Sequence, residues 1–272
     1  MSTAHEAAGG RAVVRLATVN LLHGMVLRTG DARDTGSLRA AANGLGADIV
    51  ALQEVDTDQP RSGLVDQAAL FAATAGLGHH VFRAAVDGTP GQRWVAASRE
   101  ASEVPGPRYG VALASRWPLT DVRFLDLGRG RAGIPLILPN GRPTLVADEP
   151  RVAVAARVDT PLGPLTVAST HLSFLPGWNL VQLMRLLRWL AAMPGPRLLL
   201  GDLNMPAFLA RSARGWQPLA AAATYPSVRP RIQFDHILAS GSLPGVVTGT
   251  RVHRMPISDH CALSITLAGA TV

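Results

Sequence analysis

The chain has 272 residues, of which 47% are hydrophobic, with one cysteine and a formal net charge of +7. Such a composition excludes an intrinsically disordered chain, a lone Cys261 excludes an intrachain disulfide framework, and no apolar run reaches the ~18 residues of a membrane span. All 26 basic residues are arginine, scattered rather than run together, so the charge favours an anionic partner without a basic tail. The first ten residues hold no apolar stretch of signal-peptide length, and a cytoplasmic, monomeric protein is expected.

Residues 1–11 are expected to be loosely held, followed by one domain over residues 12–268. Residues 12–20 form an apolar, β-branched run ending in Asn20. Residues 34–45 have helical spacing, with Asp34 as cap and Gly46 as stop. A buried strand over 48–53 ends in Gln53-Glu54. Residues 63–75 read as a helix with Leu64, Ala68 and Phe71 on one face, and 81–86 as a strand. A loop over 87–108 carries Trp94. Strands over 109–115 and 122–127 read as neighbours joined through Arg116-Trp117-Pro118, and 128–148 as a proline-punctuated insertion.

Strands over 151–158 and 165–169 flank the turn Thr160-Pro161-Leu162-Gly163, the second running into Thr170-His171-Leu172. The clearest helix spans 177–193, with Leu180, Leu183, Leu187 and Leu190 as its core stripe and Arg185 and Arg188 outward. Leu198-Leu199-Leu200 is a strand buried on both faces that ends in Gly201-Asp202-Leu203-Asn204. After short helix and loop come strands over 232–239, with Asp235 inside, over 246–252, and over 261–267, the last opened by Ser258-Asp259-His260. Alternating strands and helices followed by paired strands predict an α/β protein of two packed sheets with helices outside.

Apolar strands have no solvent-side reason to end in carboxylates, amides and imidazoles. Here Asn20, Glu54, His171, Asp202, Asn204, Asp259 and His260 all lie at such ends. Each alone suits a turn or a solvated loop. Asp235 does not, because a carboxylate amid Ile-Gln-Phe-Asp-His-Ile-Leu is costly to bury unless paired. Converging at one end of a sandwich, these groups suit phosphate-ester hydrolysis assisted by a hard, oxygen-seeking cation. No Cys/His spacing suggests zinc. There is no P-loop lysine and no Gly-x-Ser-x-Gly elbow.

Thr18-Val19-Asn20, Leu52-Gln53-Glu54-Val55-Asp56, Tyr109-Gly110-Val111-Ala112-Leu113-Ala114-Ser115-Arg116, Thr170-His171-Leu172, Gly201-Asp202-Leu203-Asn204, Phe234-Asp235-His236-Ile237-Leu238 and Ser258-Asp259-His260 resemble, in order, the motifs of the endonuclease/exonuclease/phosphatase superfamily, the DNase I-like fold. The resemblance implies a four-layer α/β/β/α sandwich of two packed mixed sheets and a Mg²⁺-dependent phosphoesterase, Mn²⁺ substituting. Glu54 would be the principal metal ligand, with Asn20 and Asp259 near the metal. Asp202 would position or deprotonate the attacking water and Asn204 orient it or hold the phosphoryl group. His260 would be held by Asp235, acting as base or as clamp, and His171 would donate to the phosphate oxygens. Tyr109 would add a phenolic contact.

The apurinic-endonuclease branch carries Trp where Ile232 stands and a tyrosine motif where His171 stands, so the resemblance does not extend to abasic-site repair. Arg61, Arg93, Arg99, Arg108, Arg129 and Arg131, with Trp94 and Trp178 for stacking, point to DNA or RNA as substrate, with Arg61 and Arg108 as phosphate-binding groups. Two other readings stay open: hydrolysis of a small phosphorylated metabolite, inositol phosphate or phospholipid, and a catalytically silent binding module.

Overall fold

The computed structural model describes residues 11–97, 106–130, 133–137 and 143–269. Of the stretch expected to be loosely held, residues 1–10 lie outside these, as do Arg99 and Arg131, while Arg11 bonds the Gly269 carbonyl. In chain order the strands are β1 (Val13–Asn20), β2 (Ile49–Thr57), β3 (His79–Gly88), β4 (Trp94–Ala96), β5 (Arg108–Ser115), β6 (Leu119–Gly128), β7 (Gly133–Ile137), β8 (Pro143–Ala147), β9 (Arg151–Thr160), β10 (Gly163–His171), β11 (Arg197–Asp202), β12 (Gln217–Pro218), β13 (Asp235–Ser240), β14 (Val246–His253) and β15 (Ala262–Ala268). The helices are α1 (Thr35–Leu45), α2 (Gln67–Thr74), α3 (Trp178–Ala191) and α4 (Ala207–Ala210).

One sheet runs β14-β15-β1-β2-β5-β3-β4 and the other β12-β13-β11-β10-β9-β6, with β7-β8 a separate pair. Both large sheets are mixed. β1 lies parallel to β2 and β10 parallel to β11, and the other pairings are antiparallel. Between the sheets Leu16, Leu113, Val154, Leu165, Val167, Leu200, Ile237 and Leu263 form one core. A second core packs Leu38, Leu45 and Phe71 of α1 and α2 on Val50 and Leu52. A third packs Leu183, Leu186 and Leu190 of α3 on Leu199 and Leu238. The result is the expected α/β/β/α sandwich.

Local signals explain most boundaries. Asp34 accepts from the Gly36 and Ser37 amides to start α1, and Gly46 at φ 61° ends it. Helix α2 starts four residues later than its sequence pattern suggests, because Asp66 caps it by accepting from the Ala69 amide; Leu64 precedes the helix and is exposed. Replacing Asp66 with alanine is expected to cost about 1 kcal/mol, read as a lower midpoint in urea unfolding with an unchanged slope. The α3 stripe is rotated from expectation. Leu186 is buried with Leu183, Leu187 and Leu190, beside Asn179 and Gln182, and Leu180 is only half-buried.

Three other expectations need correction. β5 and β6 are not neighbours, since Arg116-Trp117-Pro118 carries the chain from one sheet to the edge of the other. The insertion over 128–148 contains a β-hairpin, β7-β8. β13 starts at Asp235 rather than enclosing it.

Candidate active site

The parallel pairs β1-β2 and β10-β11 point their C-terminal ends the same way, and the polar residues collect there. Registry does the aligning: His171 pairs with Asp202, and Asp202 with Asp235, placing an imidazole and two carboxylates abreast on β10, β11 and β13. Asn20, on β1 of the other sheet, reaches across. Its Nδ2 donates to Glu54 Oε1 at 2.9 Å and to Asp202 Oδ2 at 3.1 Å. Its Oδ1 accepts from the Leu22 amide at 2.9 Å, which fixes the amide's orientation. One side chain thus ties both halves of the sandwich together at the site.

Glu54 does not end its strand. Leu52 pairs with Ala112 and Val55 with Gly110, so Gln53 and Glu54 form a bulge inside β2. Glu54 sits at φ 54°, a conformation a non-glycine residue adopts at a cost, and the bulge turns its carboxylate toward Asn20. Asn204 (φ 48°) and Ser258 (φ 73°) are left-handed too. Asn204 donates its backbone N–H to Asp202 Oδ1 at 2.9 Å, and Ser258 Oγ accepts from the His260 amide at 3.1 Å. At these three positions strained backbone serves to aim site residues.

His260 Nδ1 donates to Asp235 Oδ2 at 2.8 Å. Its Nε2 lies 3.7 Å and His171 Nε2 lies 3.6 Å from Asp202 Oδ2, too long for direct hydrogen bonds but close enough for strong electrostatic interaction. Asp202, Asp235 and His260 offer ligand-capable atoms within 4.8 Å of one another. All three residues are buried, as is His171. Burial pushes Glu54 up to about 7, with Asp259 and Asp202 adding to it, and pushes Asp202 up to about 6. Burial opposes charge on His260, but the Asp202 and Asp235 carboxylates outweigh it and raise the ring to about 10. His171 is driven the other way, well below the ordinary histidine value, by burial and by the charges of Arg151 and His260.

The remaining expected residues fall nearby. Asp259 precedes His260 and acts on Glu54 electrostatically. Tyr109 is buried on β5, its phenol held well above the usual range by burial and Glu54. Arg61 makes a two-point pair with Asp56 at 2.8 and 2.7 Å and lies over the Tyr109 ring. Arg108 opens β5 opposite Thr57. Arg129 lies over Trp94 at 5.4 Å.

Two residues were missed. Tyr225 packs its ring against His260, centroids 4.9 Å apart, and the Ser227 amide bonds the Asp259 carbonyl, so the loop bearing exposed Arg229 and Arg231 borders the site. Tyr-Pro in an irregular stretch after an alanine run gave no reason to single Tyr225 out. Arg151, at the start of β9, is buried with Nη1 3.0 Å from His171 Nδ1. An arginine ahead of an apolar strand reads as solvated, and no local signal marked it.

Seen whole, the order of strands and the polar cluster match a known family profile: residues 17–260 fit the Endonuclease/Exonuclease/phosphatase family. The chain belongs to that family. Its members are in general phosphate-ester hydrolases. Among solved structures, an endonuclease/exonuclease/phosphatase from Beutenbergia cavernae DSM 12333 is similar at 22% identity and TM-score 0.61, over 96% of this chain and 72% of that one. A family protein from Leptotrichia buccalis C-1013-b aligns over 93% and 99% at 14% identity and TM-score 0.65. Truncated TDP2 from Caenorhabditis elegans aligns over 94% and 98% at 14% identity and TM-score 0.61. At these identities the likeness is one of fold. No curated protein matches the sequence significantly. Among the described residues no helix is long and apolar enough to cross a membrane.

Proposed function

We propose that the protein is a Mg²⁺-dependent phosphodiesterase acting on nucleic acid by in-line attack of water. The observation that carries this reading is the bridge from Glu54 through Asn20 to Asp202, with His171 and His260 flanking Asp202. The donor set suits a hard cation. Glu54 and Asp259 offer carboxylate oxygens, Asn20 orients the Glu54 carboxylate through its Nδ2, and the crowding of Glu54, Asp202 and Asp259 leaves negative charge for a divalent ion to balance. Nδ1 of His260 is already committed to Asp235, so Glu54 is the principal ligand in this reading, with Asn20 and Asp259 beside it.

Bound there, the metal would supply charge neutralisation at the phosphoryl oxygens. Asp202 Oδ2 would take the water proton. Asn204 Nδ2 and His171 Nε2 would donate to non-bridging oxygens, the preorganised-donor arrangement that stabilises developing charge. His260, oriented by Asp235, presents Nε2 to the same space. Exposed Arg229 and Arg231 beside the site, with a net charge of +7, support an anionic polymer as substrate.

The test is a panel of plasmid DNA, single-stranded DNA, RNA, bis-p-nitrophenyl phosphate, p-nitrophenyl phosphate and phosphoinositides, each with Mg²⁺. Turnover of the nucleic acids and the diester is expected, abolished by EDTA and restored by excess Mg²⁺ or Mn²⁺. Cleavage of the monoesters alone would refute a nuclease, and silence on every substrate would refute the enzyme.

A further inference from the structure

Two histidines face Asp202, and their Nδ1 atoms have opposite partners. His260 Nδ1 meets a carboxylate, Asp235 Oδ2, at 2.8 Å. His171 Nδ1 meets a guanidinium, Arg151 Nη1, at 3.0 Å. A carboxylate only accepts, so it requires a hydrogen on the nitrogen it faces; a guanidinium only donates, so it requires a bare one. A neutral imidazole has a single bare nitrogen. Once Arg151 has claimed it, the ring's hydrogen must sit on Nε2.

The surroundings hold Arg151 in this role. It is buried and begins β9, three residues after Asp148, which pairs with it at 3.9 Å. Asp148 Oδ2 is itself fixed by the Gly130 amide. On the other side of the ring, Asn204 Nδ2 lies 3.0 Å from His171 Nε2. That amide is oriented by donating to the Leu172 carbonyl at 2.9 Å, so its second hydrogen also points at Nε2. The ring has one bare nitrogen for these two donors, and the buried, charged guanidinium is the stronger of them; Asn204 Nδ2 and the Nε2 hydrogen are then left side by side, both available to an acceptor placed against them, as a phosphoryl oxygen would be.

We propose that Arg151 is a positioning residue that locks His171 as the Nε2–H tautomer, making it a fixed hydrogen-bond donor to the phosphoryl group and unable to serve as a base there. This rests on the phosphodiesterase reading for its substrate, but the tautomer itself does not. The two histidines then divide the work. His260 has its Nδ1–H held by a carboxylate and can exchange a proton at Nε2, whereas His171 only donates.

Long-range ¹⁵N–¹H spectra of the histidine rings, with His171 assigned by comparison with H171Q, read the tautomer directly. In the wild type His171 should show a bare Nδ1 and a protonated Nε2. In R151M the hydrogen should redistribute toward Nδ1, and kcat for bis-p-nitrophenyl phosphate with Mg²⁺ should fall about 100-fold with KM moving far less. R151K, which still donates to Nδ1, should keep the Nε2–H form and recover most of the lost rate. A wild-type ring protonated on Nδ1 would overturn the proposal, as would R151M with unaltered tautomer and kcat. If R151M does not fold, the wild-type spectrum and R151K decide. An Nε2–H ring in a wild type that hydrolyses no phosphate ester would instead overturn the phosphodiesterase reading and leave the tautomer lock standing.

Discussion

Replacing His260 with alanine is expected to lower kcat/KM toward a phosphodiester by about 10²–10⁴-fold, the range a positioned proton donor or acceptor contributes. The substitution also strands Asp235. That carboxylate is 0% exposed, Oδ1 has no hydrogen-bond partner among the described residues, and its Oδ2 bond to His260 is removed. H260A should therefore lose stability as well, on the order of 1–3 kcal/mol for an unsatisfied buried group. Asp235→Asn separates the two effects. It keeps the imidazole but exchanges the carboxylate that holds the Nδ1 hydrogen for an amide that can donate as well as accept, so stability should recover relative to H260A while activity stays low. Steady-state kinetics and urea unfolding of both variants check this. A loss under tenfold in H260A would mean that the ring is misassigned.

The second large effect is expected at Gly201, one residue before Asp202. A Cβ built there would run far inside van der Waals contact with the Thr170 carbonyl oxygen, and tightly against its Cγ2. Thr170 pairs with Gly201 on the neighbouring parallel strand and directly precedes His171. Backbone cannot step aside as a flexible side chain can, so Gly201→Ala must spread β10 from β11. Overpacking of this kind costs about 1–3 kcal/mol, and here it also shifts His171 away from Asp202. Differential scanning calorimetry should show a lower Tm, and kcat should fall together with it. Wild-type stability and turnover in G201A would show that the strands yield without disturbing the site.

How much of this was legible beforehand depended on whether a feature leaves a local trace. Gly201-Asp202-Leu203-Asn204 is legible because three buried leucines make a polar ending conspicuous, and the same contrast exposes Asn20 and His171. The seam between β5 and β6 leaves no such trace: a chain that changes sheets at Arg116-Trp117-Pro118 has the same pattern as one that turns back on itself. The bulge at Glu54 is equally silent, since φ 54° is chosen by pairing to β5 and not by the residue. Arg151 was hidden for a different reason. Its burial follows from Asp148 and His171, and nothing in its flanking residues distinguishes it from an arginine in water.

The pairing of β15 with β1 has a consequence for how the protein matures. Val13 pairs with Ala268 and Thr18 with Leu263, so one edge of an early strand stays unsatisfied until the final strand arrives. During synthesis that edge is an open template for a foreign strand, and closing it over such sequence separation is slow. His260 lies two residues before β15 and reaches Asp235 only as that strand docks. Protection against aggregation and completion of the His260–Asp235 pair thus belong to one event, and a ribosome-bound chain short of β15 has neither.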